Sequence, residues 1–229
     1  MSATALPPSG DLPSGPKTCD ASGMAEIHRL FTAGFGEGPT LVRGVHVGDT
    51  AHAAVVATQL EMLSAALHAH HEGEDERLWR PLVERSPACA PHVKRMKHHH
   101  AAMLVELTAL DEALPAWRAS ATPGDAAAVI SALDGVNGAL AIHLPDEEAN
   151  IVPVMEHTIT EKEVEWFAKH GRAATPKGQT WNSLGAILAA QPDGGDQWLR
   201  TRLPGPVRVL WRWVGRPRYE RTRAALEGR

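Results

Sequence analysis

Residues 68 to 76 read HAHHEGEDE, three histidines and four acids within nine positions, and the chain turns apolar from Leu78. Such side chains are either a solvated, charged helix face or the imidazole and carboxylate donors of a metal site. A second stretch, HLPDEEANIVPVM from His143, follows the same plan. That repetition separates the two readings.

Set side by side at a constant offset of 73 residues, Val56, Leu60, Leu63, Leu67, His70, Glu74 and Leu78 match Val129, Leu133, Val136, Leu140, His143, Glu147 and Ile151. Both series advance in steps of three and four, so each lies on one helical stripe. A stripe of Val and Leu is a core seam, and in each copy a His and a Glu four residues apart interrupt it. An unpaired carboxylate on a buried face is costly and tends to protonate. A metal ion reverses the penalty, because it takes deprotonated carboxylate and neutral imidazole. One such pair is read equally well as a core hydrogen bond. Two in register favour the ion.

A third seam, Val93, Met96, His100, Met103, Leu107, Leu110 and Leu114, takes only His100 from the run HHH at 98–100. His98 and His99, beside Lys94, Arg95 and Lys97, are expected to face solvent or at most to stand behind the ligands. Met24, His28, Phe31 and Phe35 share a stripe, so His28 is a fourth inward histidine, either a ligand or a satisfied core residue. His52 lies near a seam but 18 residues before His70. At about 1.5 Å per residue it sits about 27 Å away and cannot join the same site. His46, His68, His71, His92, His157 and His170 have no comparable placement.

These positions need helices to carry them. The 229-residue chain is 43% hydrophobic but only 5% aromatic, rich in Ala and Leu, with almost no β-branched alternation. An all-α fold follows. The pattern predicts long helices over about 20–35, 49–85, 91–114 and 123–157, with GEGP interrupting the first. Shorter ones are expected over 160–170, capped by Thr160 with Glu163 three residues on, and near 181–190 and 204–214. Four long rods with short connections make an antiparallel four-helix bundle with short additional C-terminal helices. The expected division is a Pro/Gly/Ser-rich disordered tail over 1–18, the bundle over 19–170, and a basic, Trp-containing extension over 171–229.

The net charge of −4 is uneven: from Arg200 onward nine Arg oppose two Glu, giving +7 and leaving −11 before it. A nucleic-acid-binding domain is not expected, although the basic tail suits an anionic partner. Two cysteines, Cys19 and Cys89, offer neither a disulfide framework nor a thiolate site. No signal peptide and no uninterrupted apolar run of spanning length is seen, so a cytoplasmic location is the expectation.

Four His and two Glu exceed what one tetrahedral zinc uses. They suit two octahedral first-row ions bridged by the carboxylates, iron first, with manganese accepting the same set. The paired Glu-x-x-His signature of ferritin-like di-iron proteins is absent, as are H-E-x-x-H and C-x-x-C.

At these residues the chain resembles the haemerythrin-like, or HHE cation-binding, family over roughly residues 20–170. The resemblance rests on His28, HHEGEDERLWRPL (His70-x-x-x-Glu74), KHHHAAM (His100) and HLPDEEANIVP (His143-x-x-x-Glu147). The pattern is similar to a bacterial, notably actinobacterial, branch. The resemblance implies a four-helix bundle around two non-haem iron ions with an oxo or hydroxo bridge. Glu74 and Glu147 would bridge, with His28 and His70 on one iron and His100 and His143 on the other. Oxygen-carrying members place a further histidine four residues after the third-helix one, where this chain has Leu104. They also space the last acid five residues from its histidine, where Glu148 stands; Glu147 matches the seam.

Two histidines per iron would leave both irons with exchangeable positions. Binding or processing of hydrogen peroxide or nitric oxide, with possible catalase- or peroxidase-like activity, is therefore expected ahead of reversible oxygen carriage. An iron- or oxygen-sensing module acting through a partner without turnover is the alternative. Pro145, between His143 and Glu147, either kinks the helix to aim them or is tolerated. Gly73 is expected to serve local packing, the other reading being that its missing bulk admits a neighbouring helix or a small ligand. Glu72, Asp75, Asp146 and Glu148 either accept the second ring N–H of ligand histidines or are solvated charge. The tail, with Trp211 and Trp213, is expected to cap the bundle, with docking to a protein or membrane surface as the other possibility.

Overall fold

In the computed structural model, which describes residues 15–229, helix α1 spans Gly23–Gly44 and runs straight through the GEGP stretch expected to stop it. Pro39 lacks the N–H that would bond the Phe35 carbonyl, and the Asn137 side chain donates to that oxygen instead, at 3.0 Å. Gly34 and Gly38 are packing positions: a Cβ on either would press into Leu63 or Leu133. The glycines read as breakers let α1 lie close against its neighbours. Asp20 does not cap this helix directly; its Oδ1 accepts from the Ser22 N–H.

The expected second helix is one rod in three parts: α2 Thr50–Gly73, a π-helical turn π1 Glu74–Leu78, and α3 Trp79–Arg85. Asp49 caps it by accepting from the His52 N–H. Helix α4, Ala90–Ser120, outlasts its expected end at Leu114 because Trp117 continues the buried seam past Pro115. Helix α5, Pro123–Asn150, passes through Pro145 without a break and leads into α6, Val152–Thr158. α5 is long and apolar enough to cross a membrane by composition alone. Its stripe of Val129, Leu133, Val136 and Leu140 is instead buried in the bundle.

α1, α2, α4 and α5 each pack on two others in a closed ring, the four-helix bundle the sequence implied. Its interior is layered. One apolar cluster includes Phe31, Leu63, Leu67, Met103 and Leu140, and another holds Met24, Leu78, Trp79, Met96 and Ile151. The polar residues of interest lie between them.

Helix α7, Glu161–Ala173, starts at the expected capping box of Thr160 and Glu163. Beyond it come α8 Thr180–Ala189, α9 Asp196–Arg202, α10 Gly205–Leu210, a second π turn π2 Trp211–Gly215, and α11 Arg216–Leu226. The extension is tied to the bundle: Trp198 Nε1 donates to Glu26 at 2.9 Å and Arg223 to Glu37 at 2.6 Å. His52 Nε2 meets the Leu226 carbonyl at 2.9 Å, which occupies that histidine away from the site. Of the tail expected over 1–18, residues 1–14 lie outside the described residues, and Thr18 is pinned by hydrogen bonds to the Glu156 and Ile159 carbonyls.

Candidate metal centre

The six residues singled out from the sequence, His28, His70, Glu74, His100, His143 and Glu147, converge at one level of the bundle and are all buried. Their donor atoms face one another in a regular way. Glu74 Oε1 lies 3.3 Å from His70 Nε2 and its Oε2 lies 3.3 Å from His100 Nε2. Glu147 Oε2 lies 3.4 Å from both His28 Nε2 and His143 Nε2. Each carboxylate therefore touches one histidine from each side of the site. His28 Nε2 and His70 Nε2 are themselves 3.3 Å apart. Two bonds of about 2.1 Å meeting at a right angle separate their donors by about 3 Å, so these spacings suit cis ligands of a shared ion.

Hydrogen bonding leaves the same atoms unsatisfied. Both oxygens of Glu74 and of Glu147, together with Nε2 of His100 and His143, are buried without a partner. Glu74, Glu147 and His143 are 0% exposed. Four orphaned carboxylate oxygens in an apolar layer carry a heavy desolvation cost that a cation removes. Burial pushes the Glu74 carboxyl up to about 8 and, helped by the nearby Glu74 charge, holds Glu147 well above the carboxylate range. Burial also holds His70 and His71 well below the usual imidazole value and His143 down to about 3. These three imidazoles are thus in the neutral, metal-binding form, and the carboxyls keep protons that an ion would displace.

The opposite ring nitrogens fix the tautomers. His28 Nδ1 donates to Glu148 Oε1 at 2.8 Å, and His100 Nδ1 donates to Asp75 Oδ1 at 3.2 Å. Trp79 Nε1 donates to that same Asp75 oxygen at 2.7 Å, holding the acceptor in place. Each N–H spent this way leaves Nε2 with its lone pair turned inward. Of the four acids considered, Asp75 and Glu148 take this role. Asp146 is bound by Arg95 and Asn150, and Glu72 lies near His170 at 3.7 Å. Glu148, half-exposed behind His28, is an orienting acid, whereas Glu147 has the inward place.

His71, set aside because it falls off the seam, is a correction. It is buried, its Nε2 has no partner, and its ring stacks on His100 with centroids 4.1 Å apart. Two donor groups result: His71, Glu74, His100 and His143, and His28, His70 and Glu147, each with donors within 4.8 Å of one another. The spacing that held this information was the i, i+3 relation of His71 to Glu74, which puts two side chains on adjoining helix positions. His99 is half-buried with its ring centroid 5.8 Å from that of His143, so it stands behind the site as one reading allowed; His98 is exposed.

The surroundings differ at the two ends. His70 is walled by Phe31 at 5.3 Å and by Phe167 of α7 at 5.2 Å between ring centroids. Gly73 makes room for Phe167, since a Cβ there would lie 2.9 Å from its ring, so the missing bulk admits the neighbouring helix α7. At the other end a cleft of about 400 Å³ between α2 and α4 reaches His71 and His100 and is lined by His68, Asp75, Lys97 and Leu104.

A helical bundle with inward His and Glu donors from all four rods at one level is a metal-binding bundle. The chain belongs to the hemerythrin family: the family model described as Hemerythrin HHE cation binding domain matches residues 23–162. Comparison with curated proteins and with solved structures gave no match.

Proposed function

We propose that this is a non-haem di-iron protein that binds and processes small oxidants, with hydrogen peroxide or nitric oxide ahead of reversibly carried oxygen. The observation that carries the two-ion reading is the placement of Glu74, with one oxygen facing His70 and the other facing His100. His28 and His70 would hold one ion, His71, His100 and His143 the other, and Glu74 and Glu147 both. Bound iron would supply one-electron redox chemistry and a place for a small ligand.

The histidine count is unequal on this assignment. Three histidines and two carboxylates leave little room on the His71 side, whereas two histidines and two carboxylates leave more on the His28 side. On this assignment the iron beside His28 and His70, near Phe31 and Phe167, would keep the more exchangeable positions of the two.

Oxidant processing is preferred because a cleft with polar and charged lining reaches the ligand residues His71 and His100, across the site from the more open position. Lys97 and the His68–Asp111 pair, 3.2 Å apart, place proton-exchanging groups in or beside the cleft that leads to His71 and His100. Reversible oxygen carriage relies on excluding water and protons from the ligand, and turnover of peroxide needs them. Peroxide consumption and nitric oxide binding by iron-loaded protein test this reading, with His68→Ala expected to slow peroxide turnover while retaining iron. Reversible oxygen binding with no peroxide turnover and no nitric oxide adduct contradicts it, and leaves iron sensing through a partner if oxygen binding also fails.

A further inference from the structure

We infer that the outer face of the helix around Trp213 is a docking surface for an anionic lipid bilayer. α10, π2 and α11 form one continuous run from Gly205 to Leu226. Its inner side is committed to the protein: Trp211 is buried near Trp181 and Tyr219, with ring centroids 6.4 Å from each, and Leu226 is buried at the far end. The outer side presents Val209, Leu210 and Trp213 at 60%, 47% and 72% exposure. Val209 and Trp213 are one helical turn apart and Leu210 flanks them, so these are neighbours on one face. Single exposed apolar residues are ordinary; a contiguous group containing a nearly free tryptophan marks an interaction surface.

Arg208, Arg212 and Arg216 run beside this stripe at four-residue intervals, all exposed. The Arg212 guanidinium lies 5.6 Å from the Trp213 ring centroid. The segment's acids are already engaged, Glu220 with Arg216 and Glu227 with Arg223 and Arg229. Among the described residues, Arg208 and Arg212 have no carboxylate partner. The charge left uncompensated next to the apolar stripe is therefore positive.

The shape and chemistry together select the occupant. The patch is the convex side of one helix, not a groove with walls for a partner's side chains. A planar anionic surface supplies phosphates at whatever spacing the arginines require, and Trp and Leu enter its headgroup boundary. Tryptophan favours that boundary because its ring is apolar with one polar N–H. None of these residues belongs to the metal centre, so the inference does not depend on iron.

Flotation of the full chain with phosphatidylcholine vesicles, with and without phosphatidylglycerol, tests it. Binding is expected only to the phosphatidylglycerol vesicles. It should fade as salt shortens the screening length from about 8 Å at about 0.15 M to about 3 Å at about 1 M. Arg208→Ser with Arg212→Ser should weaken it roughly thirtyfold, and Trp213→Ser by about tenfold, with the circular dichroism of both variants unchanged. Equal binding to both vesicles, no binding to either, or full binding by the variants overturns the inference. A concentration-dependent dimer abolished by Trp213→Ser, without vesicle binding, overturns it in favour of a second copy of the chain.

Discussion

Asp75 Oδ1 lies 3.2 Å from His100 Nδ1 and 2.7 Å from Trp79 Nε1, so one carboxylate oxygen joins the π turn, α3 and a site histidine of α4. The π turn makes this possible. It widens the helix after Gly73, and Leu78 and Trp79, adjacent in sequence, are both buried. Such turns recur at functional sites.

Removing that support should weaken metal binding without unfolding the bundle. Asp75→Asn and Glu148→Gln are each expected to lower metal affinity by about 10- to 100-fold. Competition with a chromophoric chelator measures it, and affinities equal to wild type in both variants would show that the two acids do not orient the histidines.

His71 separates the assignment made from the structure from the one made from the seam. His71→Ala should lose most of the affinity of one ion and retain the other, held by His28 and His70. His99→Ala should keep both. Metal analysis after dialysis distinguishes them, and full metal content in His71→Ala would return that residue to a bystander.

The buried carboxyls give the metal-free protein a pH signature. The unfolded chain ionises Glu74 near 4.5, whereas the folded chain holds that proton until about 8. Between those values the folded state carries more protons, so stability falls as pH rises. His143 acts oppositely at lower pH: neutral down to about 3 when folded but protonated below 6.5 when unfolded, it adds stability as pH rises through that window. Above pH 6.5 the carboxyl effect stands alone. Urea midpoints of metal-free protein should therefore drop from pH 6.5 to pH 8, and metal loading at neutral pH should release protons and abolish the drop. A flat profile without metal, or loading without proton release, contradicts the buried protonated pair.

Asn137 and Pro39 are coupled through the Phe35 carbonyl. Asn137→Ala leaves that oxygen unpaired and is expected to cost about 1–3 kcal/mol. In a Pro39→Ala background a main-chain N–H takes over, so the same substitution should cost clearly less. Equal costs in a double-mutant cycle of urea melts would refute the coupling.

What the sequence made legible followed from periodicity. Apolar residues at steps of three and four marked the four rods, and the offset of 73 residues placed both His/Glu pairs at one depth. What stayed hidden depended on partners distant in the chain. GEGP looks like a stop unless Asn137, about a hundred positions on, is known to replace the missing hydrogen bond. Leu114 looks like an end unless Trp117 is known to pack. His71 was lost because a seam admits one residue per turn, and its ring stacks on His100 from beside that seam. Phe167, which closes over His70, comes from a helix outside the four rods, so no seam of the bundle pointed to it.

The central claim is that Glu74 and Glu147 hold two metal ions between them. Anaerobic titration of metal-free protein with ferrous iron, followed by oxidation, tests it most directly. Two ions bound per chain with an antiferromagnetically coupled Mössbauer signal, and loss of that coupling in Glu74→Gln, are the expected results. One ion per chain, or two uncoupled ions unaffected by Glu74→Gln, would contradict the account.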